Sequence, residues 1–496
     1  MRGLQGLEVL VEVNLVRRLP RVIVVGLPAS SVRESTERVR SAILASGCQF
    51  PKSCITVNLA PSGVRKEGTG LDLAIAVGIL AASGQVPKGA LSDRMFVGEL
   101  GLNGDVKEVR GILSFALLAK RLGVSRLVVP NGCGEVASFV SGVEVVEAST
   151  LSQVVDSLNM RVELPVCPVT VYEPVGQKKE SVEEVLGQPM ACRALEIAAA
   201  GGHNLLLIGP PGVGKSMLAQ RLISLLPPLT LDEALEVTQI HSVVGLNGAS
   251  EGLVACPPIR APHHSISRAG MLGSARLLPG ELSLAHRGVL FLDEIPEFAR
   301  SVLELLRSPL EDREVRLSRA EGTAVFPASC IMVATANPCP CGYLGHPIRV
   351  CRCTDGQIQV YQRRISGPLL DRIDLRVHLE PCPVSGEFGS QPGVSLESAV
   401  ERVSSARSVQ LQRFQETGVR TNAELGSDGL SMYARPNSQA SRLLAISAES
   451  LSMSVRARVR VLRMARTIAD LSGERTILEE HVAESLSFRG GFGGVE

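Results

Sequence analysis

From Leu7 to about Val145, short strand-like runs (LEVLVEV, RVIVVGL, CITVNLA, RMFVGELGL, SRLVVP) take turns with stretches at helical spacing (SSVRESTERVRSAILASG, GILSFALLAKRLG). This predicts a mixed α/β domain over residues 1–160. Residues 161–180, RVELPVCPVTVYEPVGQKKE, combine prolines and a charge run with no helical period and predict a linker. A second unit, 181–380, opens with a helix, the apolar strand LLLI, a glycine loop, another helix and a proline stop, then continues with the strands VLFLDE and CIMVATAN. Strands alternating with helices imply a mostly parallel sheet covered on both faces. Residues 381–395, PCPVSGEFGSQPGVS, predict a second linker, and 396–496 read as an all-α domain. No fixed-period repeat is present.

A chain of 496 residues has room for several domains, and 45% hydrophobic with 20% charged residues excludes a predominantly disordered one. Lys+Arg of 51 against Asp+Glu of 50 leaves a net charge of +1, so any polyanion contact is local. With no Trp, 11 Phe and 4 Tyr, base recognition by stacking is disfavoured and contact would fall on phosphates. Glu8, Glu12 and Asn14 interrupt the N-terminal apolar residues, which is not a signal-peptide pattern. The best apolar stretch, LDLAIAVGILAASG from Leu71, is short, carries Asp72 and predicts a buried helix. A cytoplasmic protein without a membrane partner is expected, in which the 12 cysteines serve as thiols or metal ligands.

The chemistry concentrates at Gly209, Pro210, Pro211, Gly212, Val213, Gly214, Lys215 and Ser216, which fit GxxxxGK[ST] between a strand and a helix. In such a loop the backbone amides curl round phosphates, Lys215 supplies a point charge and Ser216 can ligate Mg²⁺. The strand GVLFLDE ends in Asp293 and Glu294, suited to holding Mg²⁺ and polarising an attacking water. ATP and Mg²⁺ are the expected cofactors, and ATP hydrolysis the expected base activity. Cys339, Cys341, Cys351 and Cys353 form two close thiol pairs around YLGHPIRV, which could supply a structural Zn²⁺ site, with free thiols the alternative and His346 a reserve ligand. His263 and His264 are expected to point to opposite sides of a strand and to bind no metal.

The segments GQPMACRALEIAAAGGHNLLLIGPPGVGKS, APHHSIS, SLAHRGVLFLDEIPEF, ATANPCPCG, GPLLDRIDL and ARTIADL occur in that order, and with them the chain resembles the YifB/ComM family of magnesium-chelatase-like AAA+ ATPases over nearly its whole length. The resemblance implies a P-loop AAA+ core, preceded by a Lon-protease-like α/β domain and followed by a helical lid. It implies that Gly187 and Gln188 contact adenine and that Asn337 is the sensor-1 residue. Arg372 would be an arginine finger offered to a neighbouring subunit, with an ordinary surface ion pair as the alternative and no obvious partner in its own chain. Arg456 would be sensor 2 on the lid, the alternative being a solvated basic stripe with Arg460 and Arg463.

A finger acting in trans implies a homo-oligomeric ring, by analogy a hexamer. REVRLSRAEGTAVFP has the pattern of a β-hairpin, which in related rings lines the pore, so Arg316 and Arg319 are candidates for touching a DNA backbone; an exposed charged hairpin is the alternative. The segment with Gly273, Ser274 and Ala275 would belong to an insertion facing the channel. In the Lon-like part, Gly70 stands where Lon has its serine and Leu113 where it has its lysine, so peptidase activity is not expected. Family members usually have several more residues before GLEVLVEV, so the resemblance implies either a missing first strand or a misplaced start codon. The function implied is a ring ATPase that remodels DNA by branch migration or unwinding. The alternative is a chelatase-type motor acting on a protein or metal-insertion partner.

Overall fold

The structure is a computed structural model that describes residues 3–174, 188–246, 252–319, 322–380, 396–415 and 417–490. The chain forms two compact units: Met1–Glu173 with Leu231–Val254, and Pro174–Thr230 with Ala255–Glu496.

In the first unit, strands β1 (Leu10–Val16), β2 (Arg21–Val25) and β3 (Cys54–Ala60) form one sheet in the order β1-β3-β2. β1 runs antiparallel to β3 and β2 parallel to it. Ile55, Val57 and Leu59 of β3 are buried while the residues between them are half-buried, the alternation of a sheet with one face on a core. A second, parallel sheet joins β4 (Arg94–Phe96), β7 (Arg126–Pro130) and β8 (Glu144–Ala148) in the order β4-β7-β8, and β5 (Glu99–Leu100) and β6 (Val106–Lys107) make a small hairpin. The apolar stretch after Leu71 is indeed a buried helix, Asp72–Ala82. Burying Asp72 would be costly if it were unpaired; Arg38 Nε donates to its carboxylate at 2.8 Å and the Leu100 N–H at 3.4 Å.

The helix Leu231–Val244, which the sequence reading assigned to the 181–380 core, clusters with the first unit. Gln239 Nε2 donates to the Leu4 carbonyl at 2.9 Å and lies 3.2 Å from Ser114 Oγ.

The second unit is built on a five-stranded parallel sheet of β9 (Leu205–Ile208), β10 (Ile259–Arg260), β11 (Val289–Leu292), β14 (Ile331–Ala336) and β15 (Leu375–His378), ordered β10-β11-β14-β9-β15. Every residue of β9 and β14 is buried, which is why β9 reads as an unbroken apolar run and β14 as one broken only by Thr335: helices cover both faces. β12 (Glu314–Arg319) and β13 (Gly322–Pro327) form the expected hairpin.

The helices Leu396–Arg413 and Val455–Leu471 share one apolar core with the sheet and the helix Pro189–Gly201. Each buried Leu, Ile or Met of that core contributes about 1.5–3 kcal/mol. Polar bonds add register. Arg413 Nη2 donates to Asp470 at 2.6 Å, Arg402 to Glu196 at 2.6 Å, and Gln410 Nε2 to the Ala200 carbonyl at 3.0 Å. No helix of the described residues is long and apolar enough to cross a membrane.

Candidate nucleotide site

β9 delivers the chain into the loop Gly209–Gly214, and the helix Lys215–Leu225 starts immediately after it. Gly212 and Gly214 have φ of +84° and +82°, where a side chain would be strained, so the turn into the helix requires glycine. Lys215 Nζ donates to the Gly209 and Pro210 carbonyls at 2.7 and 2.9 Å and to Asn337 Oδ1 at 2.9 Å. Burial lowers the Lys215 pKa, and the charges of Asp293 and Glu294 oppose that shift. Ser216 is exposed at the first turn.

β14 lies between β9 and β11, so the ends of three adjacent strands converge. Asn337 follows β14, and Asp293 and Glu294 follow β11. Thr335, fully buried in β14, joins the two acids: its hydroxyl donates to Asp293 Oδ1 at 2.6 Å and accepts from the Glu294 N–H at 2.9 Å. Glu294 is held at φ +50°, an uncommon conformation for a residue with a side chain. No sequence motif marks out Thr335. Its only signal was a hydroxyl in an otherwise apolar central strand.

Gln188 is buried and donates to the Glu380 carbonyl at 2.7 Å, so its side chain amide is engaged by the backbone that follows β15. Gly187 lies outside the described residues.

Arg372 departs from the expectation that it lacks a partner in its own chain. Its Nε donates to the Arg307 carbonyl at 2.6 Å, Nη1 to the Pro368 carbonyl at 2.6 Å, and Nη2 to the Glu311 carboxylate. Arg456 is 66% exposed and its Nη2 lies 3.5 Å from the same Glu311. Glu311, which the sequence reading passed over, therefore brings the two arginines together. No solvated basic stripe accompanies Arg456: Arg463 donates to the Leu425 carbonyl at 2.8 Å, and Arg460, only 12% exposed, faces Asp374 at 3.8 Å. The helix turns these guanidinium groups into the unit because buried acceptors lie beneath them.

Burial acts to raise the pKa of Asp374, but His203 at 3.5 Å, Arg460 and the Asn204 N–H at 3.1 Å hold it well below the usual carboxylate range.

The four cysteine Sγ atoms lie within 4.8 Å of one another, with Cys339–Cys341 at 3.4 Å and Cys351 at 3.6 Å from each. A tetrahedron of thiolates about 2.3 Å from Zn²⁺ has edges of roughly 3.8 Å, so this donor set and spacing fit Zn²⁺. The Arg352 and Tyr343 N–H groups pull the Cys341 thiol down to about 6. His346 takes no part; its Nδ1 accepts from the Ile348 and Arg349 N–H groups at 3.1 and 3.0 Å. The cysteine loop abuts the phosphate loop directly: a Cβ on Gly342, at φ +83°, would lie 2.6 Å from Pro211 Cδ.

His263 and His264 follow β10 rather than lying on a strand. Their rings stack at 3.9 Å instead of pointing to opposite sides, because no pleat separates them. They belong to no metal cluster among the described residues.

Arg316 is 74% exposed and paired with Glu314, and Arg319 Nη1 donates to the Ser318 carbonyl at 3.1 Å. Three positions apart on one strand, their Cβ atoms leave from opposite faces. Ala320 and Glu321 lie outside the described residues. Gly273 lies at φ +140°, tight against the Leu278 carbonyl. In the first unit, Gly70 lines a cavity and Leu113 is buried in the core.

Three stretches of the chain match families described as magnesium chelatase, subunit ChlI, over residues 181–385, subunit ChlI of Mg-chelatase over 11–132, and the ChlI C-terminal part over 394–489. The competence protein ComM of Haemophilus influenzae is 40% identical over 494 residues, 98% of this chain and 95% of that one. The uncharacterized protein YifB of Escherichia coli is 40% identical over 493 residues, again 98% and 95%. Lon protease 2 of Bacillus subtilis is 31% identical over 169 residues, 31% of this chain and 29% of that one.

Proposed function

This chain belongs to the YifB/ComM family of magnesium-chelatase-like AAA+ ATPases, and from that premise we propose that it is a ring-forming motor that couples ATP hydrolysis to DNA remodelling by branch migration or unwinding. The observation that carries the ATPase part of this reading is the convergence of Lys215, Asn337, Asp293 and Glu294 at the ends of three adjacent parallel strands, with Lys215 bonded to Asn337 and Thr335 bonded to both acids.

In this reading Gly187 and Gln188 border the adenine, and the amides of Gly209–Ser216 cradle the phosphates at a helix N-terminus. Lys215 exchanges its backbone and Asn337 acceptors for phosphate oxygens, which restores the charge partner that its burial lacks. ATP brings Mg²⁺, for which Ser216 and Asp293 are the protein ligands. Glu294 takes the proton of the attacking water, and Asn337 orients that water. Arg372 crosses to the ATP of the next protomer in a hexamer after leaving Glu311, and Arg456, sharing that carboxylate, moves with it. The four cysteines hold a structural Zn²⁺ that stiffens the loop after Asn337. The free cysteines among the described residues suit a reducing cytoplasm.

Arg316 and Arg319 meet the phosphates of DNA, contacts that carry no base information and suit a motor moving through any sequence. The likeness to ComM and YifB extends through the first unit, as does a match to subunit ChlI of Mg-chelatase, and a chelatase-type motor with a protein or metal-insertion partner is the alternative reading. The test is ATPase activity with branched, single-stranded and duplex DNA. Stimulation by at least one DNA is expected, and replacing both arginines should weaken DNA binding and flatten its salt dependence. Active ATPase that neither binds nor responds to any of the three would refute the DNA assignment.

A further inference from the structure

Arg372 lies in the short turn between the helix Gly367–Leu370 and β15, and the sheet register fixes which end of the strands that turn occupies. β15 and β9 run parallel, with Leu375 beside Leu205 and His378 beside Ile208. Arg372 comes before the first of these pairs and the phosphate loop after the last, a separation along the strands of about 13 Å or more at the ordinary rise per residue. The arginine and its own chain's phosphate loop are therefore at opposite ends of the sheet. A charge that works at such a distance from its own site depends on how firmly its turn is held, because any shift of the backbone is carried to the guanidinium.

Asn204, the residue immediately before β9, holds that turn. It is only 4% exposed, and both ends of its side-chain amide are used. Nδ2 donates to the Arg372 carbonyl at 2.9 Å, and Oδ1 accepts from the Met332 N–H of β14 at 2.9 Å. The backbone of Asn204 engages the same turn: its N–H donates to Asp374 Oδ2 at 3.1 Å, and its carbonyl accepts from the Asp374 and Leu375 N–H groups at 3.1 and 3.0 Å. β9 lies between β14 and β15, so a residue at its leading end reaches both neighbours. An amide can donate to one and accept from the other, and the carbonyl on one side with the N–H on the other fixes which way it faces. The far anchor is firm, since β14 is buried at every residue.

We propose that Asn204 is a positioning residue for catalysis in trans: it holds the Arg372 backbone so that the guanidinium, on leaving Glu311, meets the ATP of the neighbouring protomer. The inference rests on the proposed role of Arg372 as a finger. Asn204 acts through Arg372 and contributes nothing to nucleotide binding in its own chain.

Asn204→Ala removes both amide bonds. It should leave the Kd for N-methylanthraniloyl-ATP within about twofold of wild type and lower kcat by roughly 10²-fold, the cost of misplacing a reacting group by about 1 Å. The decisive readout is complementation in mixed rings, made by co-expressing two differently tagged chains and purifying through both tags. Lys215→Ala chains bind no ATP but keep an intact Arg372. Mixed with Asn204→Ala, they should raise turnover at least about tenfold above either variant alone, because the Lys215→Ala chain lends its finger to the neighbour's working site. Arg372→Ala mixed with Lys215→Ala is the reference pair and should recover in the same way. Recovery in the reference pair without recovery for Asn204→Ala overturns this inference alone, whereas recovery in neither pair removes the finger in trans and the inference with it. Turnover by Asn204→Ala within about twofold of wild type also overturns it. Asn204→Asp, which keeps an acceptor for the Met332 N–H and loses the donor to Arg372, should complement as Asn204→Ala does. If both Asn204 variants lose ATP binding, Asn204 serves its own protomer and the proposal is overturned.

Discussion

Thr335→Val isolates the bond that joins the two acids while preserving shape. The substitution removes a hydroxyl that donates to Asp293 Oδ1 at 2.6 Å and accepts from the Glu294 N–H at 2.9 Å, within a fully buried strand. A hydrogen bond to a charged group is worth about 1.5–3 kcal/mol and a stranded N–H costs about 1–3 kcal/mol. Because Asp293 and Glu294 are exposed and water compensates in part, a combined loss of about 2–3 kcal/mol is expected. Spent on positioning in the transition state, that is a fall of roughly 30- to 150-fold in kcat. KM for ATP should change little, since Lys215 and its loop keep their contacts. Steady-state phosphate release would measure both constants, with Thr335→Ser as the rescue that retains the hydroxyl. If Thr335→Val turns over within about twofold of wild type, the placement of the acids does not depend on Thr335 and the reasoning fails.

Lys215→Ala should abolish nucleotide binding in an equilibrium assay, whereas Glu294→Gln should bind ATP and hydrolyse it little; normal turnover from the latter would remove its assigned role. Arg372→Ala should retain ATP binding yet lose about 10³–10⁵ in turnover, and a protomer that stays monomeric with full activity would contradict action in trans. Gly342→Ala places a methyl about 2.6 Å from Pro211 Cδ at a left-handed position, so KM for ATP should rise, measured beside zinc content by elemental analysis. Absence of stoichiometric zinc under reducing conditions would refute the cysteine assignment. Asp374 has a depressed native pKa, so between that value and about 3.9 the unfolded chain binds more protons and stability rises with pH. Its contribution is present above about pH 4 and is lost as pH falls. Asp374→Asn should therefore lower the urea midpoint at pH 7, by a difference from wild type that shrinks toward pH 3; a constant difference would exclude the linkage.

The local chemistry of the nucleotide site was legible in the sequence because it is written in contiguous residues. Gly212 and Gly214 are glycine because the turn has positive φ, and Lys215 and Ser216 stand at the start of the helix that follows. β9 and β11 are unbroken apolar runs, and β14 is one but for Thr335, because both their faces are covered, which already implied a parallel sheet. The close thiols of Cys339, Cys341, Cys351 and Cys353 likewise followed from short spacing.

Tertiary structure alone decided what depends on distant residues meeting. Thr335 bridges acids some forty positions away only because β14 pairs with β11. Glu311 gathers Arg372 and Arg456 from separate elements, so a guanidinium without a visible neighbour in sequence proved fully engaged. The helix Leu231–Val244 clusters with the first unit though it lies within the stretch assigned to the core, since its contacts with Leu4 and Ser114 span more than a hundred residues. The bonds of the Asn204 amide to Met332 and Arg372 could not be foreseen either. Burial and pairing are properties of the packed chain, whereas turn geometry and periodicity act within a few residues, and only the latter can be read before the chain has folded.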